Sequence, residues 1–268
     1  MSDKQNKSLT WFGHNCFQFV WGTARFLTDP FLAEGVAPCS ANEIQTDYIL
    51  VSHGHGDHCS DAIQIAKRNN ATIITMAEMA SFFAKQGVKV EPMNIGGAVY
   101  VPVDDDPDAP KGQILMTQAP HSSTTPNGEP GGNSAGFVLS FSQNGAHLSP
   151  DRVPIKPMKA TLADAFAFSI YFACDSGYFS EMKWIGEFGI DVAVLPIGDR
   201  YTMGPALSLD AINALAPRYV VPSHYNTWSP IRQDVAKWAD AVQQFTRSKP
   251  LALSPGVTVC EKDDLQWE

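Results

Sequence analysis

The strongest constraint on this chain lies in Val51–Cys59, VSHGHGDHC, where three histidines and an aspartate fall within six positions. The chain has only seven histidines in all. A solvent-facing loop rarely needs three imidazoles, and a buried one would leave ring nitrogens without partners. Metal ligation resolves the conflict. Neutral imidazole is the commonest transition-metal ligand, and aspartate adds an anionic oxygen to the same ion. Gly54 and Gly56 remove side chains between the donors and permit positive φ. The stretch before the loop, TDYILVS, is a nearly continuous apolar run of the kind that forms a buried strand. After it, SDAIQIAKRNN has helical spacing, with Ser60 as N-cap and Asn69–Asn70 as the stop. The histidine loop therefore sits where a strand hands over to a helix, the edge at which α/β proteins gather ligands.

The same strand-then-polar-loop signature recurs four times. His121 follows ILMTQAP, Asp175 follows IYFAC, Asp199 follows VAVLPIG and His224 follows YVVPS. Parallel or mixed sheets bring such ends to one edge. LTWFG, CFQFVWG and ARFLTDPF read as a meander of short strands. ATIITM with MASFFAKQG repeats the strand–helix theme, and VKVEPMNIGG returns to sheet. AVYVPV and QILMTQAPHSS form a hairpin, with the acidic DDDPDAPKG between them as a solvated turn. SAGFVLSF and FSIYFACDSG are further strands, and SPIRQDVAKWADAVQQFTRS is an amphipathic helix. This element order predicts two sheets with helices packed outside. The chain reads as a single domain over 1–268, with residues 1–8 as a disordered lead-in.

Composition narrows the function classes. Asp and Glu outnumber Lys and Arg, 28 to 19, for a net charge of −9. That disfavours an extended nucleic-acid footprint but not a small anionic substrate. No run approaches the ~18 apolar residues of a membrane span, and the polar N-terminus lacks the apolar core of a signal peptide. Five cysteines without CxxC spacing argue against a disulfide framework and for a reducing cytoplasm.

His53-x-His55-x-Asp57-His58 followed by His121, Asp175 and His224 resembles the metallo-β-lactamase superfamily. WFGHNCF, MNIGG, HSS, NGEPGG, PIGDRYTMGP and HYNTW sharpen the resemblance toward metal-dependent hydrolases near the L-ascorbate-6-phosphate lactonase-like proteins. More distantly the chain is similar to N-acyl-phosphatidylethanolamine-type phospholipases D. The resemblance spans roughly residues 9 to 260. It implies an α/β (α+β) fold, an αββα sandwich of two mixed β-sheets flanked by helices.

The resemblance also implies two divalent metal ions, with zinc favoured and manganese or iron as alternatives. His53, His55 and His121 would hold one ion, Asp57, His58 and His224 the other, and Asp175 would bridge. The implied activity is hydrolysis of a small ester, lactone or phosphodiester by a bridging hydroxide, in which Asp57 and Asp175 count as catalytic. A sulfur-dioxygenase-like oxidoreductase, a nuclease and a non-catalytic metal-binding protein are the competing readings. His14 is a candidate for substrate contact or proton donation, or else caps a turn. Asp199 is a candidate to support a ligand histidine, and Arg200 to face an anionic substrate, although the two could equally form a loop ion pair. Ser122, Asn226 and Trp228 flank ligands and are candidate pocket residues, and EPGGN could cradle an anion or simply turn. The segment 144–168 is longer than the hairpin expected there and is expected to affect substrate access or subunit contacts.

Overall fold

The computed structural model describes residues 7–103, 111–141, 168–262 and 266–267. Residues 1–6, the acidic segment 104–110 expected to form a solvated turn, His147 and the 144–168 insertion up to residue 167 lie outside the described residues.

The chain opens with β1 (Lys7–Gly13), whose side chains alternate between fully and partly buried. β2 (Cys16–Trp21) and β3 (Ala24–Thr28) follow as the expected antiparallel meander. The disordered lead-in is corrected at its end, because Lys7 and Ser8 pair with Trp21 and Val20 in β1. Lys7 is buried, its ammonium beside Glu261 and over the Trp21 ring. From β3 the sheet continues in parallel through β4 (Tyr48–Val51), β5 (Thr72–Met76) and β6 (Lys89–Met93). β14 (Thr258–Lys262) and β15 (Gln266–Trp267) complete its other edge, giving eight strands in the order β15-β14-β1-β2-β3-β4-β5-β6.

The second sheet has seven strands, with β7 (Ala98–Pro102), β8 (Lys111–Gln118), β9 (Ala135–Phe141), β10 (Phe168–Phe172), β11 (Val192–Pro196), β12 (Tyr219–Ser223) and β13 (Lys249–Pro250). β7 to β10 run antiparallel in succession, and β10 to β13 run parallel. β9 to β12 are buried at every position, as strands covered on both faces must be.

The sheets face each other across an aromatic core. Trp21 stacks on Phe141 at 4.6 Å and Phe19 on Phe168 at 5.5 Å, joining β2 to β9 and β10. Helices cover the outer faces. α1 (Gly56–Cys59), α2 (Ala62–Asn69) and α3 (Ala77–Lys85) flank the first sheet, where Leu27, Ile49, Ile65, Ile73 and Phe83 share a separate apolar layer. α4 (Met182–Gly186), α5 (Pro205–Leu215) and α6 (Val235–Phe245) flank the second, through Ile185, Leu215, Trp238 and Val242. The expected αββα sandwich is the observed one.

Two helix starts differ from expectation. Ser60 closes α1, and Asp61 is the N-cap position of α2, its carboxylate accepting from Leu32 N–H instead of capping. The long C-terminal helix begins only at Val235, because Asp234 accepts from Lys237 N–H as its cap. Ser229–Ile231, ahead of it, is a separate 3-10 turn. α4 and α5 were not legible from apolar periodicity. α4 is a single short turn, and α5 buries Ser208 beside Ala211, Ile212 and Leu215 while leaving Leu207 exposed.

Candidate metal centre

β8 and β10 run in the same direction, as do β11 and β12, so His121, Asp175 and His224 emerge at one edge of the second sheet. The β4 loop reaches the same edge from the first sheet, and the β1–β2 turn joins it, since His224 N–H donates to the His14 carbonyl at 3.1 Å. The loop needs glycine at position 54 for a reason of packing. A Cβ there would strike the Thr124 carbonyl and sit 2.8 Å from the Met79 sulfur. Neither Gly54 nor Gly56 uses the positive φ anticipated for them.

Ligand atoms gather in three overlapping groups, each with all its atoms within 4.8 Å of one another: His53, His55 and His121; His14, Asp57, His58 and His224; and His53, His58 and Asp175. His53 Nε2 and His55 Nδ1 are 2.8 Å apart. Asp175 Oδ2 is 3.1 Å from His224 Nε2, 3.3 Å from His58 Nε2 and 3.5 Å from His121 Nε2. One carboxylate oxygen thus touches histidines of both implied ligand sets. His58 Nε2 is buried without a hydrogen-bond partner. Ring nitrogens that face one another in a buried space repel through their lone pairs unless a proton or cation lies between them. The donor set therefore fits divalent cations.

The supporting shell fixes which nitrogen each ring offers. Asp29, buried at the end of β3, accepts from Ser52 N–H at 2.8 Å and from Ser52 Oγ at 2.7 Å, and its Oδ2 lies 2.9 Å from His58 Nδ1. Ser52 Oγ also lies 2.9 Å from His53 Nδ1. Asn15 Nδ2 donates to Asp175 Oδ1 at 2.7 Å, leaving Oδ2 for the cluster. His14 places Nδ1 2.8 Å from Thr227 Oγ1 and Nε2 3.2 Å from Asp57 Oδ2.

Electrostatics prepares these groups as ligands. Burial lowers the His53 imidazole well below the usual histidine range, lowers His121 and brings His14 to about 4. Neutral rings keep a free lone pair. Burial alone would raise Asp175, but His58 and His224 outweigh it and hold the carboxyl far down. Asp57 is likewise held low, with His14 and His58 outweighing burial. His58 goes the other way. Burial opposes its charge, yet Asp175 and Asp29 together hold its imidazole well above the ordinary value.

All seven implied ligands and His14 thus converge, whereas the candidate substrate contacts mostly do not. Trp228 stands 5.0 Å from the His14 ring, centroid to centroid. Asn226 uses its Oδ1 to accept from Gln233 N–H and so holds its own loop. Ser122 is exposed. Asp199 and Arg200 are both exposed in a left-handed turn at φ 62° and 42°, and Arg200 lies over the Tyr201 ring. Among the described residues no hydrogen bond joins Asp199 to a ligand histidine, and the carboxylate on His58 is Asp29 instead. The turn lies just ahead of EPGGN, in residues 125–129, where Thr125 N–H donates to the Glu129 carbonyl, and an antiparallel bridge pairs Thr124 with Pro130. Asp29, Asn15, Ser52 and Thr227 were missed from the sequence. Asp29 carries the signal that found Asp175, a carboxylate at the end of an apolar strand, in FLTDPF.

A two-sheet sandwich with histidines and aspartates gathered at one edge defines a metallo-β-lactamase-type fold. Residues 8–144 match the family model for the β-lactamase superfamily domain. A UPF0173 metal-dependent hydrolase of Desulforamulus reducens is 37% identical over 254 residues, covering 92% of this chain and 97% of that one. A Thermus thermophilus relative of the same description is 36% identical over 92% of this chain and 96% of its own. The solved structure of Igni18, a metallo hydrolase from Ignicoccus hospitalis, superposes with a TM-score of 0.78 at 29% identity, covering 96% of this chain and 99% of that one. The chain belongs to the β-lactamase superfamily, among its UPF0173 metal-dependent hydrolases.

Proposed function

We propose that the protein is a hydrolase with two divalent ions, acting on a small ester, lactone or phosphodiester. The observation that carries this reading is Asp175 Oδ2, within 3.5 Å of His121 on one side and of His58 and His224 on the other. His53, His55 and His121 would hold one ion, and Asp57, His58 and His224 the other. Zinc suits this imidazole-rich set best, with manganese or iron as alternatives. Bound there, the ions would supply an activated water near neutral pH and polarise the substrate oxygen. The chain's own part is orientation. Asp29 and Ser52 fix the His58 and His53 rings, and Asn15 fixes the bridging carboxylate. His14 holds Asp57, the most exposed acidic donor, at the open side.

Among the described residues no helix is long and apolar enough to cross a membrane. All five cysteines are unpaired, which supports a reducing cytoplasmic setting. We take the substrate to be a small molecule, anionic where the ions grip it, and not a nucleic acid. A homo-oligomer is compatible with this reading.

The test is metal analysis after reconstitution, joined to a panel of esters, lactones and phosphodiesters. About two equivalents per chain and turnover of one class are expected. Asp57→Ala should retain its fold and lose activity by orders of magnitude. One equivalent at saturation, or full turnover by folded Asp57→Ala, would remove the dinuclear reading.

A further inference from the structure

Beside the His14, Asp57, His58 and His224 group stands a wall of aromatic rings. Phe31 follows Asp29 on the loop after β3, and Trp228 follows His224 on the loop after β12. Their centroids are 6.0 Å apart, and they lie 5.8 and 5.0 Å from the His14 ring, both edge-on to it. His14 in turn packs 4.1 Å from the His224 ring. The wall therefore begins one ring's width from the ligand atoms. Trp228 is 43% exposed, a large apolar surface left open next to a buried polar centre. Among the described residues its indole N–H makes no hydrogen bond.

The exposure is not that of a loose loop. Ile231 N–H donates to the Trp228 carbonyl, Asn226 N–H to the Ile231 carbonyl, and Gln233 N–H to Asn226 Oδ1. The indole is thus presented on a braced turn, so little conformational freedom has to be lost when something stacks on it.

We infer that Phe31 and Trp228 form the subsite for a flat aromatic group on the substrate, next to the position of its scissile bond. The inference rests on the hydrolase reading above and names the substrate class within it, an aryl-bearing ester or phosphoester. The two rings touch each other and make a continuous wall. A quaternary ammonium group is better served by rings that surround it.

The test uses binding, so it does not depend on turnover. Phenylphosphonate, methylphosphonate and phosphocholine are titrated calorimetrically into the metal-loaded full chain. The anionic head of each probe reports the cation site, and the substituent reports the wall. The expected result is a preference for phenylphosphonate over methylphosphonate of roughly tenfold, the yield of one or two ring contacts. Trp228→Ala should bring that ratio close to one. Trp228→Phe should restore most of it, which a merely structural role would not predict, and Phe31→Leu should halve it or more. Equal affinities for the phenyl and methyl probes in the wild type would overturn the inference. So would a preference that survives Trp228→Ala, or phosphocholine binding tightest. Failure of all three probes to bind would instead overturn the cation reading beneath it.

Discussion

At the scale of single residues, Asp29 shows how much of a metal centre lies behind its ligands. Its carboxylate holds Ser52 twice and faces His58 Nδ1, so it fixes the ring that offers Nε2 to the cluster. Partners of this kind are worth about 10–100-fold in metal affinity. Asp29→Asn should cost that much at the His58 site while far-ultraviolet dichroism stays unchanged. Competition with a chromophoric chelator checks this, and wild-type affinity in the variant would refute it. The same pair sets a pH dependence. His58 is raised from 6.5. Its contribution to folding is thus fully present below about 6.5 and is lost as pH rises through the raised value. Cation affinity runs in the opposite sense, because the ion must displace that proton. Between 6.5 and the raised value, affinity should climb with pH. Calorimetry in buffers of different ionisation enthalpy should count about one proton released per chain from this residue near pH 7. The proposed ligands were legible in the sequence because each ends an apolar strand or sits in the histidine loop. Asn15 and Thr227 were not, since a lone amide or hydroxyl in a turn carries no pattern until the chain closes around it.

At the scale of elements, strands were easier to read than helices. β4, β10, β11 and β12 are short apolar runs closed by polar loops, and each appears where its run lies. Helix starts were shifted by local chemistry: Asp234 caps α6 well inside the predicted span, and α1 intervenes before α2. The glycine between the first two histidines matters at this scale because it lets the β4 loop lie against the loop carrying Thr124. Gly54→Ala drives a methyl into the Thr124 carbonyl and the Met79 side chain. Strain of this kind typically costs about 1–3 kcal/mol. It should also displace His53 and His55 from His121. The expected result is a lowered denaturation midpoint together with loss of one of the two proposed ions. Gly56→Ala, where a Cβ meets open space, is the control and should stay within about 0.5 kcal/mol of wild type. Equal effects of the two substitutions would refute the packing argument.

At the scale of the whole molecule, the cluster draws donors from both sheets and so fastens the halves of the sandwich together. Ions that bind only the folded chain stabilise it by about 2.7 kcal/mol for each site held at a hundredfold excess over Kd. For a chain of this size that is roughly 5–10 °C in Tm. Chelation should lower the melting temperature by that amount per site, as read by scanning calorimetry, without loss of secondary structure at 25 °C. An unchanged Tm would mean that the donors are already satisfied without cations. The architecture itself was legible from the alternation of strands and helices. The arrangement of side chains between the sheets was not, since which aromatic meets which is decided only when two surfaces far apart in sequence are pressed together.

Asp175 lies between donors that are made at different times. His53, His55 and His121 are synthesised while more than half the chain is still unwritten, whereas His224 is added only after β12. Synthesis therefore imposes an order on assembly. A nascent chain can present three histidines to a cation early, but the shared oxygen and the opposite wall come last. On the proposed ligand set the finished centre would act as a late seal, since a chain that stops before residue 224 would carry the three histidines of one site and lack His224 of the other.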